Sequence, residues 1–171
     1  MVKAASGADP GFDVHCADAA ALPFEDGACD LVVAFMSLQD VDDMEGAVRE
    51  SARVLEPGAR MCLAIVHPLN SAGSFQSDDA DSPFCIDGSY LGQSAYSDEM
   101  RRNGLDITFV SKHRPLEVYT EALANAGFLI ERLREPPVPD DAVTVPRNRR
   151  WQRLALFMHI RAVKVTPPRA L

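Results

Sequence analysis

The chain has 171 residues, of which 47% are hydrophobic and 25% charged, a balance typical of one globular domain with its own core. Its formal net charge of −8 argues against nucleic acid or an anionic membrane as partner, because either would require a basic surface. No apolar run approaches the roughly 20 residues that cross a bilayer, and the four cysteines contain no C-x-x-C pair, so neither a membrane span nor a metal site is predicted.

The amino-terminal part predicts a β-α-β unit. Residues 12–16 alternate as a short strand. Cys29 to Met36, which is apolar without a break from Leu31 on, is typical of a strand covered on both faces. A helix follows, which we expect Asp42 and Glu45 to start as a capping box and Pro57-Gly58 to stop. The apolar run Arg60 to Val66 is the next core strand, parallel to the first.

The segment from His67 to Ser111 changes character. It is rich in Ser, Asp and Gly and has no clear period, although Ser97 to Asn103 is compatible with a helical turn. A connection this long is usually functional or mobile. Because it leaves the carboxyl end of a core strand, we expect it to lie over the ligand crevice.

The carboxyl-terminal part predicts one helix and two strands. Pro115 to Ala126 forms the helix, with Gly127 at its end. Phe128 to Leu133 and Trp151 to Val163 are the strands. Residues 1–171 therefore form a single domain with residues 67–111 as a cap. Reduced cysteines and the lack of an apolar stretch in residues 1–10 favour a cytoplasmic location.

Several motifs occur together in one order. They are A-D-A-x-x-L-P-F-x-D-G-x-x-D-L-V-V from Ala17, R-V-L-x-P-G from Arg53, and His113-Arg114-Pro115-Leu116 through Ala126-Gly127-Phe128. This pattern resembles the class I S-adenosylmethionine-dependent methyltransferases, closest to those of ubiquinone and menaquinone biosynthesis. The resemblance implies an α/β fold with a Rossmann-like, mostly parallel sheet, an antiparallel last strand and helices on both faces.

The resemblance also implies a cofactor site for S-adenosylmethionine. Asp18 would accept a hydrogen bond from the adenine amino group, the Ala19 N–H would bond a ring nitrogen, and Leu22 would pack on the adenine. The segment along the methionine part comprises Ala34, Phe35, Met36 and Gln39. From the residues alone, Asp18 also fits an Asx turn, and Leu22, Phe35 and Met36 also fit simple core packing.

The family's glycine-rich cofactor loop has no counterpart here, since no two glycines are separated by one residue. We therefore expect an incomplete sheet and weak or no binding of S-adenosylmethionine, with methyl transfer to a small molecule as the function. A non-catalytic remnant that binds a protein partner is the alternative. A hydrolase or reductase is disfavoured, because neither G-x-S-x-G nor G-x-G-x-x-G occurs.

His67 and His113 are the candidate catalytic residues. Each lies at the edge of a predicted element, and histidine titrates near neutral pH, as a general base requires. A capping or structural role is the alternative for both.

The sheet order of the family, 3-2-1-4-5-7-6, gives a last expectation. Cys29 to Met36 corresponds to strand 4, whose neighbour, strand 1, has no counterpart here. Either residues 12–16 slide in beside it, or its apolar edge pairs with a second chain in a homodimer. We expect the first arrangement within one chain.

Overall fold

The central sheet has four strands, as seen in a computed structural model that describes residue 11 and residues 13–102 and 104–165. Strand β1 is Cys29–Phe35 and β2 is Leu55–Val66, and these two pair in parallel. Strand β8, Phe157–Lys164, lies antiparallel between β2 and β7, which is Phe128–Arg134. The order β1-β2-β8-β7 confirms the predicted 4-5-7-6 arrangement with an antiparallel last strand.

Two α-helices of the described residues pack on one face of this sheet. Helix α1 spans Met44–Val54 and α2 spans Leu116–Asn125. Their buried side chains form one core with alternate residues of the sheet, which include Met61, Leu63, Ile65, Met158, Ile160 and Ala162. The alternation in β8 follows directly from this arrangement, because one face meets the helices and the other does not.

The opposite face of the sheet carries no helix of the described residues, and we call it the open face. On β1 it presents Leu31, Val33 and Phe35, which are 49%, 63% and 72% exposed. Cys62 and Ala64 continue it on β2. The predicted covering of β1 on both faces is therefore not found in the described part of the chain.

The proposed sliding strand is wrong. Residues 13–16 belong to no strand, and Phe12 lies outside the described residues. The segment instead leads into a small turn, in which Asp18 and Ala21 form an isolated bridge. The exposed side chains of Asp13 and His15 hydrogen-bond each other, so this stretch is held by local polar contacts and not by the sheet.

Helix α1 begins one residue later than predicted. Asp43, and not Asp42, is the cap, and its Oδ1 accepts from the Gly46 N–H at 2.8 Å. Asp42 forms an ion pair with Lys112 instead. The Arg60 to Val66 strand starts earlier, at Leu55, where the helix ends.

The cap segment consists of two β-hairpins. Strands β3, Gly73–Phe75, and β4, Phe84–Ile86, form the first; β5, Ser94–Arg102, and β6, Leu105–His113, form the second. The suggested helical turn at Ser97 is thus part of a strand, and Asn103 lies outside the described residues.

The segment before β8 also differs from its prediction. Trp151 lies in a 3-10 helix, Pro146–Gln152, and the strand starts only at Phe157. No helix of the described residues is both long and apolar enough to span a membrane.

Candidate active site

The Asp18 turn is the first part of the candidate site. Asp18 Oδ1 accepts from the Ala20 N–H at 2.9 Å, and the Asp18 carbonyl accepts from the Ala21 N–H at 3.0 Å. This is the Asx turn that the residues alone allowed. The Ala19 N–H takes no part in these bonds, and Ala19 itself packs against the core. The second carboxylate oxygen of Asp18 and the Ala19 N–H therefore lie outside the hydrogen bonds of the turn.

Arg53 of α1 holds the residues that follow this turn. Its guanidinium donates to the carbonyl oxygens of Leu22, at 3.0 Å, and Phe24, at 2.7 Å. It also donates to Asp26 Oδ1 at 2.8 Å and twice to the Glu50 carboxylate. We call Arg53 and Glu50 the clamp, since together they fix this loop to the helix.

Glu50 completes the clamp from the other side. Its Oε2 accepts from the Leu22 N–H at 2.9 Å. The hydrogen bond from Arg53, followed by that from Leu22, lowers the pKa of Glu50 from its ordinary 4.5 to about 2. The clamp was not recognised in the sequence, although the i, i+3 spacing of the two charges on a helix was a visible signal.

The clamp is expected to make the stability of the fold depend on pH under acidic conditions. Because the pKa of Glu50 is lowered in the folded state, its stabilising effect is present above pH 4.5 and is lost as the pH falls to about 2. We expect urea unfolding to show a loss of stability across this interval, and Glu50→Gln to remove part of that dependence. Asp30→Asn, which changes an exposed residue of β1, is the control. Identical pH profiles for wild type and Glu50→Gln would contradict the assignment.

The carboxyl end of β1 is the second part of the site. Met36 follows the strand with φ +50°, and no other non-glycine residue of the described chain has a positive φ. Such strain persists only where the surroundings hold it, and it clusters at functional positions. The Met36 N–H donates to the Ala64 carbonyl at 2.8 Å, which ties this end of β1 to β2.

The predicted residues of this end divide between the two faces. Ala34 lies on the covered face against the core, whereas Phe35 lies on the open face. Gln39 lies in a 3-10 helix, Leu38–Asp40, is 4% exposed, and its Oε1 has no hydrogen-bond partner among the described residues. An unpaired buried acceptor is costly and marks a place where a ligand donor would be favourable.

His113 is almost fully buried, and both ring nitrogens are engaged. Nε2 lies 2.9 Å from the Tyr90 carbonyl oxygen, which can only accept, so Nε2 carries the proton. Nδ1 then accepts from the Ser71 hydroxyl at 2.7 Å. A general base needs a free nitrogen within reach of the substrate. This geometry favours the structural alternative, in which His113 joins two parts of the cap.

His67 is placed in the same way. Its Nδ1 accepts from the Leu69 N–H at 3.1 Å, and its Nε2 donates to Glu135 Oε1 at 2.7 Å. The ring therefore fixes the exit of β2 against the end of β7. The two histidines do not bond each other, and no shared catalytic pair is formed.

Comparisons with known proteins agree on one fold. Residues 1–63 match a family model described as a methyltransferase domain. The ubiquinone/menaquinone biosynthesis C-methyltransferase UbiE of Escherichia coli is 35% identical over 39% of this chain and 33% of that protein. The match thus spans a third of the length of this curated relative.

Solved structures extend the likeness over nearly the whole chain. An S-adenosylmethionine dependent methyltransferase from Mesorhizobium loti matches with a TM-score of 0.75 and 22% identity, covering 95% of this chain and 75% of that one. One from Methanosarcina mazei matches at 0.61 with 18% identity, covering 97% and 78%. The chain has the fold of the class I S-adenosylmethionine-dependent methyltransferases.

The methyltransferase fold does not by itself fix the reaction. The [4+2]-cyclase SpnF matches with a TM-score of 0.55 and 19% identity, over 96% of this chain and 60% of that one. Proteins that share this fold therefore need not catalyse the same reaction, and the residues of the site decide the function.

The residues present fit the adenosine end of the methyltransferase cofactor. The Asp18 turn offers an acceptor and a donor at neighbouring positions, as an aminopyrimidine edge requires. Gln39 adds an unpaired buried acceptor beyond β1.

Proposed function

We propose that this chain acts in S-adenosylmethionine-dependent methyl transfer, recognising the adenine of the cofactor at the Asp18 turn and covering a small-molecule substrate with the cap. The observation that carries the proposal is the Asp18 turn, in which the Ala19 N–H forms none of the turn's hydrogen bonds. The clamp fixes the loop that follows this turn to α1. A curated relative that matches part of this chain is a C-methyltransferase, which supports methyl transfer as the reaction class.

The residues of the chain would bind and orient the reactants. When bound, S-adenosylmethionine supplies an activated methyl group on a sulfonium. Its transfer is a displacement, and much of the acceleration can come from holding the acceptor in line with the methyl. The cap hairpins would exclude water from this contact. No titrating residue is required where the acceptor is already basic, which is compatible with the engaged nitrogens of His67 and His113.

We further propose that these 171 residues alone bind the cofactor weakly. The glycine-rich turn that lets a backbone approach a cofactor closely does not occur in the sequence. A cytoplasmic location is part of the same proposal, since the four cysteines are unpaired.

Titration with S-adenosylhomocysteine, followed by amide NMR, tests the proposal. We expect shifts at Asp18 to Leu22 with a dissociation constant weaker than micromolar. Asp18→Ala should weaken binding by about 1–3 kcal/mol, because the adenine amino group loses its acceptor. Asp13→Ala, a nearby exposed acid, is the control. Unchanged affinity in Asp18→Ala would leave Asp18 a turn residue only, and micromolar binding would contradict the weak-binding proposal.

A further inference from the structure

A cavity of about 500 Å³ lies beneath the cap, within the volume range of small-molecule sites. It begins at Val66, the last residue of β2, and extends between the two hairpins to Trp151 in the 3-10 helix before β8. It therefore lies at the carboxyl end of a parallel strand, where ligands of open α/β sheets bind.

The lining of this cavity is polar with one aromatic wall. Phe75 and Trp151 meet edge to face with ring centroids 4.9 Å apart. The remaining surface is dominated by five serines and by two carboxylates, those of Asp87 and Asp98. Such a surface suits a water-soluble ligand with a small apolar part.

The charges of the cavity are not balanced. Arg150 lines it, and its Nη1 donates to the Ser77 carbonyl at 2.7 Å and to Asp78 Oδ1 at 2.8 Å. Its buried Nε has no hydrogen-bond partner among the described residues, so one cation stands against two carboxylates in this lining. Asp98 forms no ion pair with any residue of the described chain, and Asp87 accepts only from the Ser74 hydroxyl, at 3.3 Å. Two carboxylates at the rim of a concave site attract a cation.

Tyr96 also lines this cavity. Its phenol oxygen is closed to solvent and makes no hydrogen bond of good geometry with the described residues. The neighbouring Ser111 hydroxyl donates to Asp40 Oδ1 at 2.6 Å instead. Burial raises the pKa of Tyr96 to about 12, against a smaller opposing effect of Ser111, so the phenol stays protonated at neutral pH.

We propose that this cavity binds a small water-soluble amine, with its ammonium group at Asp87 and Asp98 and its apolar part against Trp151, and that the amine nitrogen is the methyl acceptor. The second half of this statement rests on the proposed function. In the transfer the ammonium first gives a proton to a carboxylate or to water. The nitrogen lone pair then forms the N–C bond, and the S–C electron pair remains on sulfur, leaving a neutral thioether.

The only tryptophan of the sequence is Trp151, so its fluorescence reports on this cavity without labelling. Three probes share one skeleton and differ in charge: phenethylamine, phenethyl alcohol and 3-phenylpropionate. We expect the amine to bind at least about tenfold more tightly than the alcohol, and the carboxylate to bind least, as charge-assisted hydrogen bonds to the two carboxylates predict. Added salt should reduce this preference.

The double variant Asp87→Asn/Asp98→Asn should lower the affinity for phenethylamine to that of the alcohol. Asp30→Asn removes an exposed acid from β1, outside the cavity, and should change nothing. Equal binding of amine and alcohol, or tighter binding of 3-phenylpropionate, would overturn the cavity assignment. S-adenosylhomocysteine is titrated separately by NMR. If S-adenosylhomocysteine binds but the cavity does not prefer phenethylamine to the alcohol, only the cavity proposal is refuted. If the cavity prefers phenethylamine but S-adenosylhomocysteine does not bind, the proposed function is refuted and the cavity remains an amine site.

Discussion

Replacing Met61 by alanine is expected to lower the free energy of unfolding by about 2–5 kcal/mol. Met61 is fully buried at the centre of β2, between α1 and the other strands. Its truncation removes apolar contacts and leaves a cavity that two packed layers cannot close. Urea unfolding followed by circular dichroism measures the loss.

Val33→Ala provides the matched control for that experiment. Val33 lies on the adjacent strand, but its side chain is 63% exposed on the open face. We expect a change within about 0.5 kcal/mol, as for other surface substitutions. A large loss of unfolding free energy in Val33→Ala, or a small loss in Met61→Ala, would contradict the assignment of Met61 to the covered face and Val33 to the open face.

The purified chain is expected to self-associate through β1, and the double substitution Val33→Lys/Phe35→Lys should abolish this. The open face carries three neighbouring apolar side chains on β1, and the outer edge of that strand pairs with no other strand of the described residues. Long apolar edges of this kind template pairing with another chain, and lysine is the residue that natural edges use against it. We propose a homodimer through residues 29–36.

Light scattering coupled to size exclusion tests this proposal over a range of concentrations. The matched control is Leu129→Lys/Leu133→Lys, which places the same charges on exposed positions of β7, at the far edge of the sheet. Dimer loss only in the β1 variant supports the proposal. A wild-type monomer that is stable to heating would refute it.

The parts of the fold that the sequence predicted well are those with one dominant signal. Leu31 to Phe35 is an unbroken apolar run, and the apolar stripe of α1 follows the helical period. The strand order came with the resemblance. The second hairpin of the cap was missed because β5 mixes charged and apolar residues and is stabilised by pairing along its whole length with β6. The dipeptide Asn103-Gly104 was the available signal, since this pair favours a tight hairpin, and Gly104 has φ +80°.

The candidate site was predicted only in part. The Asp18 motif located the turn, but neither its clamp by Arg53 nor the aromatic wall formed by Phe75 and Trp151 follows from local pattern. These contacts join residues far apart in the chain, such as Arg53 and Leu22, and depend on the packing of loops. For His67 and His113 the residue type predicted a general base, whereas the hydrogen bonds of their ring nitrogens favour a structural role.

The position of β8 has a consequence for how this protein is made. This strand lies between β2 and β7, and among the described strands it is the only one to which β7 pairs. During synthesis, β1, α1 and β2 leave the ribosome about a hundred residues before residue 164, at a pace of roughly 5–20 residues per second. For several seconds β2 therefore exposes a long unpaired edge, and α2 has no completed sheet on which to settle. The nascent chain is expected to depend on holdase chaperones during that interval.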